Sequence, residues 1–435
     1  MKNAGATAHI DVDALRVGMY IHLDVGWMSH PFPLSSFRIA SDEQIEVIRG
    51  LGLKTLRWCP EQSALAEAEE RAQGAQPATP AADPAPSPSP EAAVIESPEA
   101  VERRLRRAAL AVQRAALVVC ERQFAEATRD CRQLTELVES QPQAARDKAQ
   151  ALSQALVSKM AGSGELCIRL LTEAAGDKAA AHAVNVTLIS LLMGRTFGFV
   201  EADMLDLGVG ALLHDVGKLD LAPRLRHRDD QMPGTDATLY EEHVALGVAH
   251  ARRMGLAPGA TLVIAQHHEH ADGSGFPRGL RGERMTPASC IVALVNRYDN
   301  LCNPHLAAKA LTPHEALSLL FAQSRHQFEA AILSGFIKMM GVYPPGSLVQ
   351  LTDDRHAMVV GVNSTRPLRP QVAVLDPRSG DDDAPALDLE RMPGLGIRRS
   401  LRPQALPRSI REAIVPRARV AYFFEPAGAD LERAA

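Results

Sequence analysis

The sequence predicts a mainly α-helical protein with a small α/β module near the N-terminus and a small β-rich module near the C-terminus. Three observations lead to this fold class. Residues 165 to 340 form apolar runs of helical period, separated by short Gly or Pro breaks and with almost no strand signal. Residues 99 to 140 contain neither Gly nor Pro and are rich in helix-forming residues. Short β-forming runs occur towards the two ends.

The first 98 residues predict a compact module followed by a tether. Residues 1 to 63 alternate short apolar runs with turns, and Ser41 starts a capped helix that is expected to end at Gly52. Residues 64 to 98 contain seven prolines set among Ala, Ser and Asp. Because proline at this density disfavours helix, we predict an extended linker that separates the module from the rest of the chain.

A helical connector is predicted for residues 99 to 174. It contains one helix from Glu99 to about Ser140 and a second from about Ala144 to Met160, with Pro142 between them. These helices are expected to pack on the following helical domain, residues 175 to 340, or on a second copy of it. The length of the first helix favours a homodimer.

Residues 341 to 435 predict the small β module, which is expected to fold back on the helical core. Four runs have strand character, and Asp353 and Asp354 supply a turn between the first two. The four runs are Ser347 to Leu351, Met358 to Val362, Gln371 to Leu375 and Arg419 to Phe424.

Composition narrows the functional classes. The 435 residues are 46% hydrophobic, which is enough for a large core, and the net charge is −5. A protein that binds a nucleic-acid polymer is usually basic, so this class is disfavoured, whereas a small nucleotide held by a metal site needs no basic excess. The six cysteines contain no C-x-x-C pair, and no apolar run approaches the roughly 18 residues of a membrane helix. These features favour a reducing, cytoplasmic environment.

Scattered histidines and one aspartate suggest metal chemistry. A metal-dependent phosphohydrolase needs imidazoles and carboxylates that converge from several helices. A lone His on an apolar helix is more often a core residue, so the order and context of these residues carry the interpretation. Neighbours on a helix point about 100° apart, so adjacent pairs can address two metals from one turn. The candidates are His182, His214, Asp215, His243, His267 and His268.

Three motifs in order resemble the HD-GYP family of HD-domain phosphohydrolases. After His182 come HDVGK at residues 214 to 218, YEEHVALG at 240 to 247 and HHEHADGSGFP at 267 to 277. Near the N-terminus, GMY at 18 to 20 and WMSHPF at 27 to 32 resemble the module often found ahead of these domains.

The resemblance implies a helical HD-domain core and a reaction. The six candidates would bind two divalent metal ions, Fe, Mn or similar, with Asp215 bridging. Asp215 and Lys218 would be catalytic, with Lys218 contacting the phosphate. The substrate would be cyclic di-GMP, opened to pGpG and sometimes cut onward to GMP.

The resemblance also assigns a signature loop and partners. This loop would contact substrate or partner proteins, notably diguanylate cyclase domains. Its residues, with Lys309 as a further substrate-binding position, are Glu269, Asp272, Gly273, Ser274, Gly275, Phe276 and Pro277.

Several positions depart from the family pattern. Phe276 replaces the Tyr of the family name. Asn296 replaces the last metal-binding Asp and would be a further metal ligand through its amide oxygen, and Asp299 is placed to compensate for the lost charge. Cys290 and His305 stand where phosphate-binding Arg residues are usual, and Lys178 stands where some members carry a Glu for a third metal. The pattern therefore predicts two metals at most.

These departures leave three functional hypotheses. The first is an active cyclic di-GMP phosphodiesterase with altered affinity, which we place ahead because six ligands and Lys218 are retained. The second is a degenerate module that binds a nucleotide or a protein partner without turnover. The third is an HD hydrolase that acts on another nucleotide phosphate.

Overall fold

The computed structural model describes residues 8–24, 36–60, 63, 98–162, 164–171, 177–227, 232–375, 386–413 and 419–427. The chain divides into two compact units, Met1–Leu105 and Arg106–Ala435. Within the described ranges, every helix is too short or too polar to span a lipid bilayer. The predicted linker up to residue 97 and the WMSHPF segment lie outside the described residues.

The first unit contains the predicted α/β module. Its four strands are β1 (Ala8–Asp11), β2 (Tyr20–His22), β3 (Ser36–Arg38) and β4 (Thr55–Cys59). They form an antiparallel sheet in the order β1-β4-β2-β3. Helix α1 (Asp42–Gly50) follows the predicted Ser41 cap position, and its apolar stripe packs into the same core as strand β2.

The second unit is mainly helical, as predicted. Its helices are α2 (Pro98–Leu137, which begins before the unit boundary), α3 (Pro142–Ala161), α4 (Lys178–Thr196), α5 (Glu201–Leu213), α6 (Gly234–Met254), α7 (Pro258–Gln266), α8 (Pro287–Cys302), α9 (Pro313–Ala322), α10 (Ala330–Met340) and α11 (Arg408–Ala413). The connector helix α3 packs against α5 and α6 of the same chain.

Local sequence signals fix the helices that carry the candidate ligands. The side chain of Asp177 accepts hydrogen bonds from the amides of Ala179 and Ala180 at 2.9 and 3.0 Å, which caps α4. Helix α6 ends at Gly255, whose φ of 70° is the left-handed conformation that glycine adopts most easily. Thr286 caps α8, and Pro287 follows at the first helical position.

A larger sheet lies within the second unit. Its strands are β5 (Leu166–Leu170), β6 (Leu348–Leu351), β7 (His356–Asn363), β8 (Gln371–Val374), β9 (Leu387–Asp388), β10 (Ile397–Leu401) and β11 (Tyr422–Pro426). The main path is β10-β6-β7-β5-β11, and β8 pairs with both β7 and β9. The four predicted C-terminal runs match β6, β7, β8 and β11 within a few residues.

Strand β5 corrects the expectation of almost no strand between residues 165 and 340. It is buried along its whole length and pairs with β7 on one side and β11 on the other. Arg169 of β5 donates to Glu425 of β11 at 2.8 Å, and both side chains are almost fully enclosed. The C-terminal sheet therefore includes a strand that precedes, in sequence, the helices that carry the candidate ligands.

A buried lysine on α3 gives a stability prediction. Lys159 is 1% exposed, and burial lowers its pKa to about 8 although Glu126 acts in the opposite direction. The unfolded chain holds this proton up to a pKa near 10.5, so the folded protein carries a penalty that is full below pH 8 and fades towards pH 10.5. We expect Lys159→Met to raise the free energy of unfolding by about 2 to 3 kcal/mol at neutral pH.

Urea denaturation at pH 7 and pH 10 measures this effect, and the gain should be smaller at the higher pH. Lys148→Met is the matched control, because Lys148 lies on the same helix but keeps 29% of its side chain exposed beside Asp130. A Lys159→Met protein less stable than wild type at pH 7 contradicts the prediction.

Candidate active site

Six of the predicted ligands converge on one buried position from four chain segments. His182 comes from α4, His214 and Asp215 from the end of α5, His243 from α6, and His267 and His268 from the end of α7. Two groups of these side chains have ligand atoms close enough to hold a metal ion, and Asp215 belongs to both. One group adds His182 and His214, and the other adds His243, His267 and His268.

Asp215 divides its two carboxylate oxygens between the groups. Oδ2 lies 3.4 Å from His214 Nε2 and 3.8 Å from His182 Nε2. Oδ1 lies 3.6 Å from Nε2 of both His243 and His267. A carboxylate with one oxygen towards each set of imidazoles has the geometry of a bridging ligand.

Backbone carbonyls fix the tautomers of three of these histidines. Nδ1 of His214, His243 and His267 lies 2.7, 2.5 and 2.8 Å from the carbonyl oxygen three residues earlier. Because a carbonyl only accepts, each Nδ1 carries the proton and each Nε2 presents a lone pair. The three carbonyls therefore aim three basic nitrogens at the centre of the cluster.

The resulting arrangement fits a cation. His182 Nε2 lies 3.2 Å from His214 Nε2, and His243 Nε2 lies 3.3 Å from His267 Nε2. Lone pairs at these separations repel one another unless a positive charge lies nearby. Asp215 Oδ1 and His268 Nε2 are buried and have no hydrogen-bond partner among the described residues. Buried polar atoms usually have partners, and a divalent metal would supply them here.

Burial favours the neutral form of three of the imidazoles. It lowers the pKa of His243 to about 3 and also lowers the pKa of His182 and His267. Burial acts in the opposite direction on Asp215, yet Lys218 and His214 outweigh it and hold the pKa of that carboxyl well below its usual range. Neutral imidazoles and an ionised carboxylate are the forms that bind metals.

Lys218 lies at the edge of the cluster, where its ammonium group donates to Asp215 Oδ2 at 2.6 Å. Burial would lower its pKa, but Asp215 and Tyr240 raise it above the usual value, so the side chain stays charged. The ammonium nitrogen also lies 5.2 Å from the centre of the Tyr240 ring. Sequence reasoning missed Tyr240, although its position one helical turn before His243 was an available signal.

Asp299 supports His182. Its Oδ2 lies 2.6 Å from His182 Nδ1, on the side of the ring away from the cluster. Its other oxygen accepts from Asn185 and from Asn303. Asp299 thus orients a candidate ligand, whereas the sequence suggested that Asp299 itself would compensate as a ligand.

Asn296 is buried, and its side-chain carbonyl accepts a hydrogen bond from Asn300 Nδ2 at 2.7 Å. An amide oxygen is a weaker ligand than a carboxylate, so we expect Asn296→Asp to tighten metal retention by about tenfold. Metal content after dialysis against a chelator measures this. Asn300→Asp, which places the same charge one turn further along α8, is the control for general electrostatics. Unchanged retention after Asn296→Asp would place residue 296 outside the ligand set.

The signature loop is built by close backbone contacts. Glu269 is fully buried and accepts from the amides of Arg278 and Leu280, both at 2.8 Å. Gly273 has a φ of 82°, and a Cβ at Gly275 would overlap the backbone of residues 268 to 270. These contacts explain the Gly-x-Gly pattern structurally.

The tip of the loop turns on Asp272, whose side chain accepts from the amide and hydroxyl of Ser274. Phe276, joined to Pro277 by a cis peptide bond, stacks on His268 with ring centres 4.5 Å apart. A ring at position 276 therefore packs against a candidate ligand without any hydroxyl.

The other residues that depart from the family pattern differ in how deeply they are buried. Cys290 is 7% exposed in α8, and burial raises the pKa of its thiol to about 11. His305 is exposed and stacks on His227, with ring centres 4.0 Å apart. His227, which sequence reasoning missed, interacts electrostatically with Lys218 and Asp215. Lys178 and Lys309 are exposed at the start of α4 and after α8.

Comparison of the sequence with known proteins identifies a family. Residues 132–332 match the family described as HD domain, and residues 7–149 match a domain of unknown function. A cyclic di-GMP phosphodiesterase of Pseudomonas aeruginosa is 26% identical over 370 residues, which cover 84% of both chains. Residues 132–332 of the chain belong to the HD-GYP family. All six clustered residues of this HD-GYP protein fall within the HD-domain match.

Other relatives differ in the substrate given in their names. A cyclic di-GMP phosphodiesterase of Borreliella burgdorferi is 21% identical, over 44% of this chain and 50% of that protein. A 3'3'-cGAMP-specific phosphodiesterase of Vibrio cholerae is 26% identical, over 37% of this chain and 31% of that protein. A solved HD-GYP-type structure from Bdellovibrio bacteriovorus covers 76% of this chain and 98% of that chain, with 17% identity and a TM-score of 0.40.

Proposed function

We propose that this HD-GYP protein is a phosphodiesterase that uses two divalent metal ions to hydrolyse cyclic di-GMP to pGpG. The observation that carries the proposal is the pair of ligand groups that meet at Asp215 with buried lone pairs facing inward. The names of the Pseudomonas and Borreliella relatives support the substrate.

The position of each residue determines the role that we assign to it. His182, His214 and Asp215 would hold one cation, and Asp215 with His243, His267 and His268 the other. When bound, the cations supply Lewis acidity and an activated water for attack at phosphorus. Asp215 aligns the two positions, and Asp299 holds His182 in the tautomer that ligation needs.

Lys218 is placed to neutralise the phosphoryl oxygens. Its ammonium is fixed against Asp215 and lies beside the Tyr240 ring, so it is already oriented before substrate arrives. His305, which stacks on His227, stands where the resemblance implies a guanidinium, and an imidazole cannot bind a phosphate with two parallel hydrogen bonds. We therefore expect weaker substrate affinity than an arginine would give.

A direct assay tests the proposal. Full-length protein is loaded with Mn²⁺ or Fe²⁺ under reducing, low-oxygen conditions and incubated with cyclic di-GMP, and the products are separated by chromatography. We expect pGpG to accumulate. The parallel substrate is 3'3'-cGAMP, and faster hydrolysis of that nucleotide would favour action on another cyclic dinucleotide.

A binding module is the second candidate, and Asn296 is the observation that favours it. Its neutral side chain removes one anionic ligand, and its oxygen already accepts from Asn300. Fully metallated protein that binds cyclic di-GMP without turnover would support this alternative. Contact of the signature loop with diguanylate cyclase domains and formation of a homodimer remain predictions.

A further inference from the structure

One arginine of the segment before β11 is hydrogen-bonded to the carboxylate that supports a candidate metal ligand. Arg419 lies just before β11, and its guanidinium Nη2 donates to Asp299 Oδ2 at 3.1 Å. The same oxygen lies 2.6 Å from His182 Nδ1. A continuous chain of charged hydrogen bonds thus runs from the C-terminal segment, through one carboxylate, to a candidate ligand.

This contact is enclosed. The Arg419 side chain is 11% exposed and that of Asp299 is 2% exposed. Arg419 Nη1 also donates to the carbonyl of Lys178 at 3.1 Å, at the start of the helix that carries His182. Removing one member of a buried ion pair leaves the other charge without compensation, which makes such pairs sensitive to substitution.

The backbone beside Arg419 is fixed by the neighbours of Asp299. The amide of Val420 donates to Asn303 Oδ1, and Asn303 Nδ2 donates to the carbonyl of Val420, both at 2.8 Å. The amide of Tyr422 donates to Asn185 Oδ1 at 2.9 Å. Asn185 and Asn303 are the same side chains that donate to Asp299 Oδ1. The strand and the carboxylate therefore share one hydrogen-bond network, which leaves Arg419 little freedom.

We propose that Arg419 is a positioning residue for His182, so that the C-terminal segment sets the metal affinity of one half of the cluster. The guanidinium holds Asp299 where it accepts the Nδ1 proton of His182, and this directs the Nε2 lone pair of His182 at the cation. The other half uses His243, His267 and His268, whose described hydrogen bonds do not include Arg419. The inference rests on the proposed two-metal function.

Titration of metal-free, full-length protein with Mn²⁺, followed by calorimetry and by the electron paramagnetic resonance of free Mn²⁺, tests this without substrate. Wild type should bind two ions. In Arg419→Met one ion should bind about 10- to 100-fold more weakly and the other as in wild type, as expected when the partner that orients a ligand is lost. Arg419→Lys should recover part of the affinity because it keeps the charge and one donor.

Arg366→Met is the matched control. Arg366 also lies in the C-terminal part of the chain and pairs with Glu165 and Glu390, but its side chain is 54% exposed and these carboxylates are not Asp299. Both ions should bind to this variant as in wild type.

Folding is checked by circular dichroism and thermal melting. If Arg419→Met does not fold, Arg419→Gln takes its place, because glutamine can still donate a hydrogen bond here while lacking the charge. Wild-type affinity for both ions in whichever variant folds overturns the inference and leaves the proposed function standing. A wild-type protein that binds fewer than two Mn²⁺ ions overturns both. Two-ion binding without hydrolysis contradicts only the proposed function.

Discussion

Replacing His214 and Asp215 together by alanine is expected to abolish hydrolysis and metal binding while the helical fold remains. Asp215 is the one residue common to both ligand groups, and His214 Nε2 lies 3.4 Å from its carboxylate. Their loss removes ligands from both positions and also removes the carboxylate that holds Lys218. Activity on cyclic di-GMP should fall on the order of a thousandfold or more, as is usual when residues that act as a unit are removed.

The matched control removes the same two residue types elsewhere. His9 and Asp11 are exposed on β1 in the first unit, so His9→Ala with Asp11→Ala should keep both ions and full activity. Metal content by elemental analysis and pGpG formation are the two measurements. If the His214→Ala, Asp215→Ala protein still retains two ions, the cluster is not the metal centre.

Gly217→Ala, in the HDVGK motif, should strongly destabilise the fold. A Cβ at Gly217 would overlap the carbonyl oxygen of His243 and the amide nitrogen of Gly247, both of which are backbone atoms of α6. Backbone cannot move aside as the end of a flexible side chain can, so the short helix Val216–Asp220 must separate from α6. We expect a loss of about 3 kcal/mol or more in unfolding free energy.

Guanidinium denaturation of metal-free protein measures this loss without any contribution from bound ions. Gly234→Ala is the control, since a Cβ there meets no atom within 4 Å, and its stability should stay within about 0.5 kcal/mol of wild type. If Gly217→Ala is as stable as that control, the backbone around Gly217 does not pack against α6 as closely as described.

The helical core and the meeting of the six candidate ligands could be predicted because their signals are local. Each histidine lies on or beside an apolar run of helical period, and the motifs occur in the family's order. The departure at Asn296 could be identified for the same reason, because this residue also lies in an apolar run of helical period. The motif pattern did not reveal that its oxygen is occupied by Asn300, since this depends on the rotamers of two amides on one helix.

Features that depend on contacts between distant parts of the sequence could not be predicted from local patterns. LCIRL at 166 to 170 is a short buried run, and such a run reads equally well as helix or strand until its partners are known. IRRSL in β10 carries exposed charges typical of an edge strand, so it lacks a clear apolar alternation. The sequence identified Arg419 only as the first residue of a β run, because the role that we propose for it depends on a carboxylate 120 positions away.

The location of β5 limits which fragments of this protein can be studied on their own. Both of its neighbours, β7 and β11, come from beyond residue 340, and its backbone hydrogen bonds are made to them. A fragment that stops at the end of α10 would leave both edges of this apolar strand open, and open edges recruit other chains. Excised helical domains should therefore self-associate, and reliable enzymology requires the polypeptide through Pro426.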